Sequence, residues 1–139
     1  MDKSRQVIRI AASLENLEPV RDFLKEQGET CGLSINATLD LITAVDEALT
    51  NIITHGYQNN ARRSVEVEAK PGRGGLCVRL LDRAPAFNPL TFPRPNLDIP
   101  LHRRPPGGLG IFLMRQSVDE VSYRPRPGGG NILVLCKRA

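Results

Sequence analysis

The stretch AVDEALTNIITHGY, residues 44–57, decides how the rest of the chain is read. Val45, Leu49 and Ile52 continue a stripe begun by Leu39 and Ile42, so the spacing predicts a helix from about Ser34 to Thr54, with Gly56 as its stop. Glu47 and Asn51, four residues apart, share a face roughly opposite that stripe. Asn is a poor helix former, so it gains nothing from this place as a spacer. The pair reads in two ways. It is either a solvated polar face closing in a cap-like Asn, or a functional couple. In the second case Asn51 offers an oxygen to a hard cation such as Mg2+, and Glu47 takes a proton from a hydroxyl beside the same phosphate.

Working outward, QVIRIAA (6–12) alternates as a first strand, and SLENLEPVRDFLKEQGE follows with Leu17, Val20, Phe23 and Leu24 at helical spacing. Pro19 is compatible with the first turn if Asn16 caps that helix. On the other side, RSVEVEAK (63–70) and LCVRLLD (76–82) alternate around PGRGG as a hairpin. Residues 83–107 carry a run of prolines that forbids regular helix or central strand. A helix resumes in GLGIFLMRQSVDEV, with Ile111, Met114 and Val118 on one side, and VSYRP and NILVLCKR close as a second hairpin. RPGGGN (126–131) reads as its turn, with no ligand role. Strands grouped in hairpins imply an α+β fold: a two-layer α/β sandwich with a mixed, mostly antiparallel sheet and helices on one face.

The 139 residues suit one domain, with 40% hydrophobic and 24% charged residues as in ordinary globular chains. Scarce aromatics and no Trp make the core aliphatic. No stretch approaches the ~20 apolar residues of a membrane span, and charges come too early in the N-terminal segment for a signal peptide. A cytoplasmic location and no membrane partner are therefore expected. The net charge of +4 comes from scattered Arg without a basic stripe, so no direct nucleic-acid contact is expected. Cys31, Cys77 and Cys136 fit neither a zinc site nor an even disulfide framework, and read as small core or near-core residues.

Two further features bear on chemistry. GGLG (107–110) lies between the Pro-rich loop and a helix, where free amides and the helix dipole accept phosphate. It fits neither a P-loop nor a dinucleotide fingerprint, and alone it is equally a bare loop-to-helix junction. Asp82 closes a strand in LLDRAPAF, where it either takes a hydrogen bond from a ligand amine or is simply a solvated strand end.

In this order, E-x-x-x-N on a helix, a strand ending in Asp, a loop and a glycine-opened helix resemble the GHKL-type ATP-binding domain of gyrase, histidine kinases and MutL. The chain is most similar to the small anti-sigma-factor serine/threonine kinases of bacterial partner-switching systems, from VIRIAASLENLEPVRDFL through DLITAVDEALTNIITHGY and LLDRAPAFNPL to GGLGIFLMRQSVDEV and beyond. The resemblance implies the histidine-kinase-like ATPase fold over a single domain, residues 1–139, with an ATP lid at about 83–107. It implies Asn51 as ligand of Mg2+ on the ATP phosphates and Glu47 as base for a substrate Ser or Thr. Asp82 would take the adenine amino group, with Ala84 beside the base, and Gly108, Leu109 and Gly110 would open the phosphate-contacting helix. His55 reads as a helix-end residue. With only His55 and His102 and no separate phospho-acceptor helix, a histidine kinase is not implied.

Two positions depart from the family pattern. Ala84 stands where Gly is usual, and its methyl would crowd the base or alter the turn. Pro105 and Pro106 intervene where a basic residue commonly precedes the glycines, leaving Arg103 and Arg104 upstream. Arg104 is the candidate to stabilise charge on the γ-phosphate. The implied function is a Mg-ATP-dependent serine/threonine kinase acting as an anti-sigma factor. Its implied substrate is an anti-anti-sigma (STAS-type) antagonist, with a sigma factor or other client as second partner and a homodimer as the assembly. The alternatives are a non-catalytic, nucleotide-dependent module that sequesters a partner, or an accessory ATPase.

Overall fold

Val7 and Arg9 alternate with Ile8 and Ile10, and this period of two forms the edge strand β1 (Gln6–Ala11). The computed structural model describes residues 4–103 and 108–139. Helix α1 (Leu17–Thr30) carries Pro19 in its first turn and buries Leu17, Val20 and Leu24. Asn16 sits at its N-cap position without bonding the helix; its Nδ2 donates instead to the Ala11 carbonyl at 2.9 Å. Near the helix end Gly28 lies against Thr38 with no room for a side chain, which lets α1 and α2 cross closely. Gly32, at φ 79°, then reverses the chain.

Helix α2 (Ile35–Asn51) starts where Ser34 Oγ accepts from the Ala37 amide at 3.1 Å. Its buried face runs through Leu41, Ile42, Ala44, Val45, Ala48 and Leu49. Leu39, expected on that stripe, is 45% exposed: the apolar face is in phase with Thr38 and Leu41. Arg21 of α1 grips Asp46 through Nε at 2.9 and 3.1 Å, tying the two helices. Beyond Asn51 the helix widens into a π turn, Ile52–Gly56, a local distortion common where helices carry functional groups. Tyr57 follows. Its hydroxyl donates to Ser64 O at 2.9 Å and accepts from Arg83 N at 2.6 Å, pinning the end of α2 to two strands.

Strands β2 (Ser64–Gly72), β3 (Gly75–Asp82), β4 (Glu120–Pro125) and β5 (Asn131–Arg138) complete a sheet of order β1-β2-β3-β5-β4. The expected two layers are present, and the sheet is antiparallel at all four pairings. Val65, Val67, Leu76, Val78, Leu80 and Leu135 point into the helices and are fully buried. Burying such aliphatic side chains contributes roughly 1.5–3 kcal/mol each and holds the layers together. Helix α3 (Leu109–Ser117) is shorter than its pattern suggested, with Val118 already extended at its C-cap. Among the described residues no helix is long and apolar enough to cross a membrane.

On the other sheet face Glu68 lies buried between Arg5 (3.4 Å) and Arg79 (3.5 Å). Cys77 and Cys136, read from the sequence as separate core residues, are bonded to each other across β3 and β5, while Cys31 is free. They are direct register partners. Their 59-residue separation hides this, because sequence alone does not show β3 pairing with β5 rather than β4.

Candidate functional site

A cavity of about 500 Å3 opens between the C-terminal half of α2, the ends of β3 and β5, and the start of α3. Its lining includes Asn51, Asp82, Ala84, Gly108 and Gly110, with Phe92 and Tyr123 on the flanks. Leu109 is half-buried but does not line it. His55 lines the rim from the π turn and is exposed, as a helix-end residue.

On α2, Asn51 lines the cavity while Glu47, one turn earlier, lies outside its lining; both are half-buried, and neither side chain finds a hydrogen-bond or ion-pair partner among the described residues. The facing helix is shaped to meet them. Gly108 is the N-cap of α3 at φ 87°, and the first helical bond returns from Phe112 N to Gly108 O at 2.9 Å. The amides of Leu109, Gly110 and Ile111 therefore precede that bond, at the positive end of the dipole. A Cβ on Gly110 would stand 2.7 Å from Glu47 Oε2, and one on Gly108 would stand 2.9 Å from the Phe92 ring. Gly108 is thus required by its positive φ and the Phe92 ring, while Gly110 lets the Glu47 carboxylate approach closely.

On the sheet wall Asp82 is 1% exposed. Its Oδ1 accepts from Ala84 N at 2.9 Å and from Asn131 Nδ2 at 2.9 Å. Burial pushes the carboxyl above its ordinary value, and the Asn131 hydrogen bond is the largest influence drawing it back. Nearby, burial likewise raises the Tyr57 hydroxyl. A carboxylate in an apolar recess, with one oxygen already satisfied, suits a ligand that brings a hydrogen-bond donor.

Ala84 keeps ordinary backbone angles. Its methyl lies 2.9 Å from where a Cβ of Gly56 would stand, so Gly56 supplies the room that the alanine takes. The turn is therefore not distorted, although Ala84 does line the cavity. Residues 83–103 include one-turn helices at Pro89–Thr91 and Leu101–Arg103. Phe87 and Phe92 stack edge to face with centroids 6.3 Å apart, and Arg94 lies 5.3 Å over the Phe112 ring of α3. Arg103 is exposed and does not line the cavity, while Arg104 lies outside the described residues.

The model of the histidine kinase-like ATPase domain matches residues 10–137, nearly the whole length. The chain belongs to this family. Among its relatives is an anti-sigma F factor of Clostridium beijerinckii, 28% identical over 138 residues, spanning 94% of this chain and 82% of that one. Another is the serine/threonine-protein kinase BtrW of Bordetella bronchiseptica, 28% identical over 99 residues, 71% of this chain and 70% of that protein. Of solved structures, the RsbU and RsbW domains of Rv1364c from Mycobacterium tuberculosis superpose with a TM-score of 0.66 at 20% identity. The match covers 96% of this chain and 31% of that longer one, and it shows a shared fold.

Within this histidine kinase-like ATPase domain, sequence reasoning missed Asn131, Tyr123 and Phe92. Asn131 offered the one available signal: a polar residue directly before the apolar run ILVLC. Beside three glycines it reads as turn chemistry, whereas it is 7% exposed and the register partner of Asp82.

Proposed function

We propose that the chain is an ATP-dependent serine/threonine protein kinase of the partner-switching type. The observation that carries this is the unpaired Glu47–Asn51 couple on α2: Glu47 lies against Gly110 at the glycine-opened start of α3, and Asn51 lines the cavity that Asp82 also lines. Asp82 would receive the exocyclic amine of adenine, and the α3 amides would receive phosphate oxygens. Glu47 would accept the proton of a protein Ser or Thr hydroxyl as its oxygen bonds to the γ-phosphorus and the bond to the ADP oxygen breaks. Positioning of these groups supplies most of the catalysis.

Asn51 fits a Mg2+ ion, being an oxygen donor with a free side-chain amide at the cavity wall, and this ion keeps waters and phosphate oxygens as its other ligands. Among the described residues no cluster of three His, Cys, Asp or Glu would hold a metal by itself, which agrees with a site completed by phosphates. When bound, the ion would neutralise triphosphate charge. Residues 83–107 would act as the lid, and Arg104 would stabilise charge developing on the transferred group.

Relatives named anti-sigma F factor and serine/threonine-protein kinase support a partner-switching role. Within that role we propose an anti-anti-sigma (STAS-type) antagonist as phospho-acceptor, a sigma factor or similar client as the sequestered partner, and a homodimer as the working form.

Titration with ATP, with and without Mg2+, should show metal-strengthened binding that Asn51→Ala removes. Glu47→Ala should still bind nucleotide while transfer falls by roughly 10^2–10^4-fold. Undiminished transfer would take Glu47 out of the base role. The cavity lining contains no arginine among the described residues, which favours a second reading: a nucleotide-dependent module that sequesters its partner. A stable complex with no mass gain on the partner would select that one.

A further inference from the structure

Asn131 spends every hydrogen-bonding group it has on one corner of the cavity. Its Nδ2 donates to Asp82 Oδ1 at 2.9 Å, to Pro85 O at 3.2 Å and to Ala84 O at 3.4 Å. Its Oδ1 accepts from Phe87 N at 2.9 Å and from the Tyr123 hydroxyl at 2.6 Å. These partners fix the amide one way round, because a flip would set its oxygen against three acceptors. With Ala84 N also donating to Asp82 Oδ1, that carboxylate oxygen is satisfied. Asp82 Oδ2, without a hydrogen bond among the described residues, is the oxygen left for the cavity.

We propose that Asn131 is a positioning residue that sets which nucleobase this pocket accepts. By pinning Asp82 Oδ1 with N–H donors, it keeps Oδ2 a bare acceptor, so a 6-amino purine is taken and a 6-oxo purine is refused. The inference rests on the nucleotide-binding reading above and adds a residue to it. An apolar recess favours the protonated form of a carboxyl. A protonated Asp82 would offer an O–H donor on Oδ2 and welcome the 6-oxo group instead.

The charge of Arg126 adds to this effect, with less weight than the amide hydrogen bonds. Arg126 reaches the Asp82 backbone carbonyl at 3.4 Å, not the carboxylate, and is shared with Glu66 of β2 at 3.9 Å. The Arg83 guanidinium is turned to Pro127 O and Gly129 O at 2.8 and 2.7 Å. From the α2 side, the Tyr57 hydroxyl is engaged by Arg83 N and Ser64 O, and His55 sits exposed at the rim. The amide hydrogen bonds of Asn131 and Ala84 are therefore the largest influences that favour the ionised form, ahead of the Arg126 charge.

The test titrates wild type and Asn131→Leu with Mg-ATP and Mg-ITP, whose bases differ at position 6, at about pH 6 and about pH 8. Wild type should prefer ATP by at least about tenfold at both values, as expected when a buried polar partner would be left unmatched. In Asn131→Leu the ATP:ITP ratio should fall by about tenfold or more at the lower pH, and fall less at the higher pH, which favours the ionised carboxylate. If the leucine variant does not fold, Asn131→Ala, which admits a water, should move the ratio in the same direction by a smaller amount. Equal weakening of both nucleotides, with an unchanged ratio at both pH values, overturns the proposal and leaves ATP binding standing. Failure of wild type to bind either nucleotide overturns the nucleotide reading itself.

Discussion

Replacing Gly110 by alanine would put a methyl carbon 2.7 Å from Oε2 of Glu47, while leaving the backbone of α3 at ordinary angles. Ordinary contact starts at 3.4 Å, so the carboxylate must retreat by 0.7 Å or more. The retreating atom is the free end of a flexible side chain, which makes the move inexpensive for the fold. Helix propensity adds at most about 1 kcal/mol in favour of alanine, so the melting temperature should hold or rise by roughly 2–4 °C. Catalysis responds differently. A misplacement of about 1 Å costs on the order of 10^2 in rate. A shift of 0.7 Å at the proposed base should therefore lower kcat for phosphate transfer by roughly 10–100-fold, or ~1.4–2.7 kcal/mol. Single-turnover transfer to the acceptor protein, read beside calorimetric melting, measures both effects. Transfer within about twofold of wild type would refute the role assigned to Glu47. A melting temperature well below wild type would show that the approach of α3 to α2 depends on more than this contact.

Three other outcomes follow from the geometry. Burial holds the folded Asp82 carboxyl above its ordinary value, so its stabilising contribution is complete below the unfolded carboxyl range and is lost as pH rises through the folded value. Asp82→Asn should therefore gain thermal stability over wild type at neutral relative to acid pH, while ATP affinity falls by roughly 10–150-fold with one charge-assisted hydrogen bond; a stability gap independent of pH would contradict this. Tyr57→Phe orphans the Arg83 amide bonded at 2.6 Å and should cost about 1–3 kcal/mol in denaturant unfolding. Cys77→Ser opens a bridge across 59 residues and should cost about 4 kcal/mol by chain entropy; reductant added to wild type should reproduce the loss, and no loss in either case would show the bridge to be unformed in solution.

Patterns local to the chain were legible. The period of two gave β1, β2 and β3, and apolar spacing gave α2. Glu47, Asn51, Asp82, Gly108 and Gly110 were nameable because each sits at a diagnostic place on its own element. What sequence did not carry was tertiary register. The bridge between Cys77 and Cys136 and the contact of Asn131 with Asp82 are both consequences of β5 lying beside β3. Leu39 failed for a smaller reason: one residue of helical phase separates the buried stripe from the exposed flank.

Gly56 and Ala84 share the space of a single methyl group. The two positions act as one steric unit: a methyl on the helix side at Gly56 would need the strand side at Ala84 to give way. An observer who reads position 84 alone sees a missing glycine and infers a decayed pocket. Read together, the two positions record the same volume entered from the other wall.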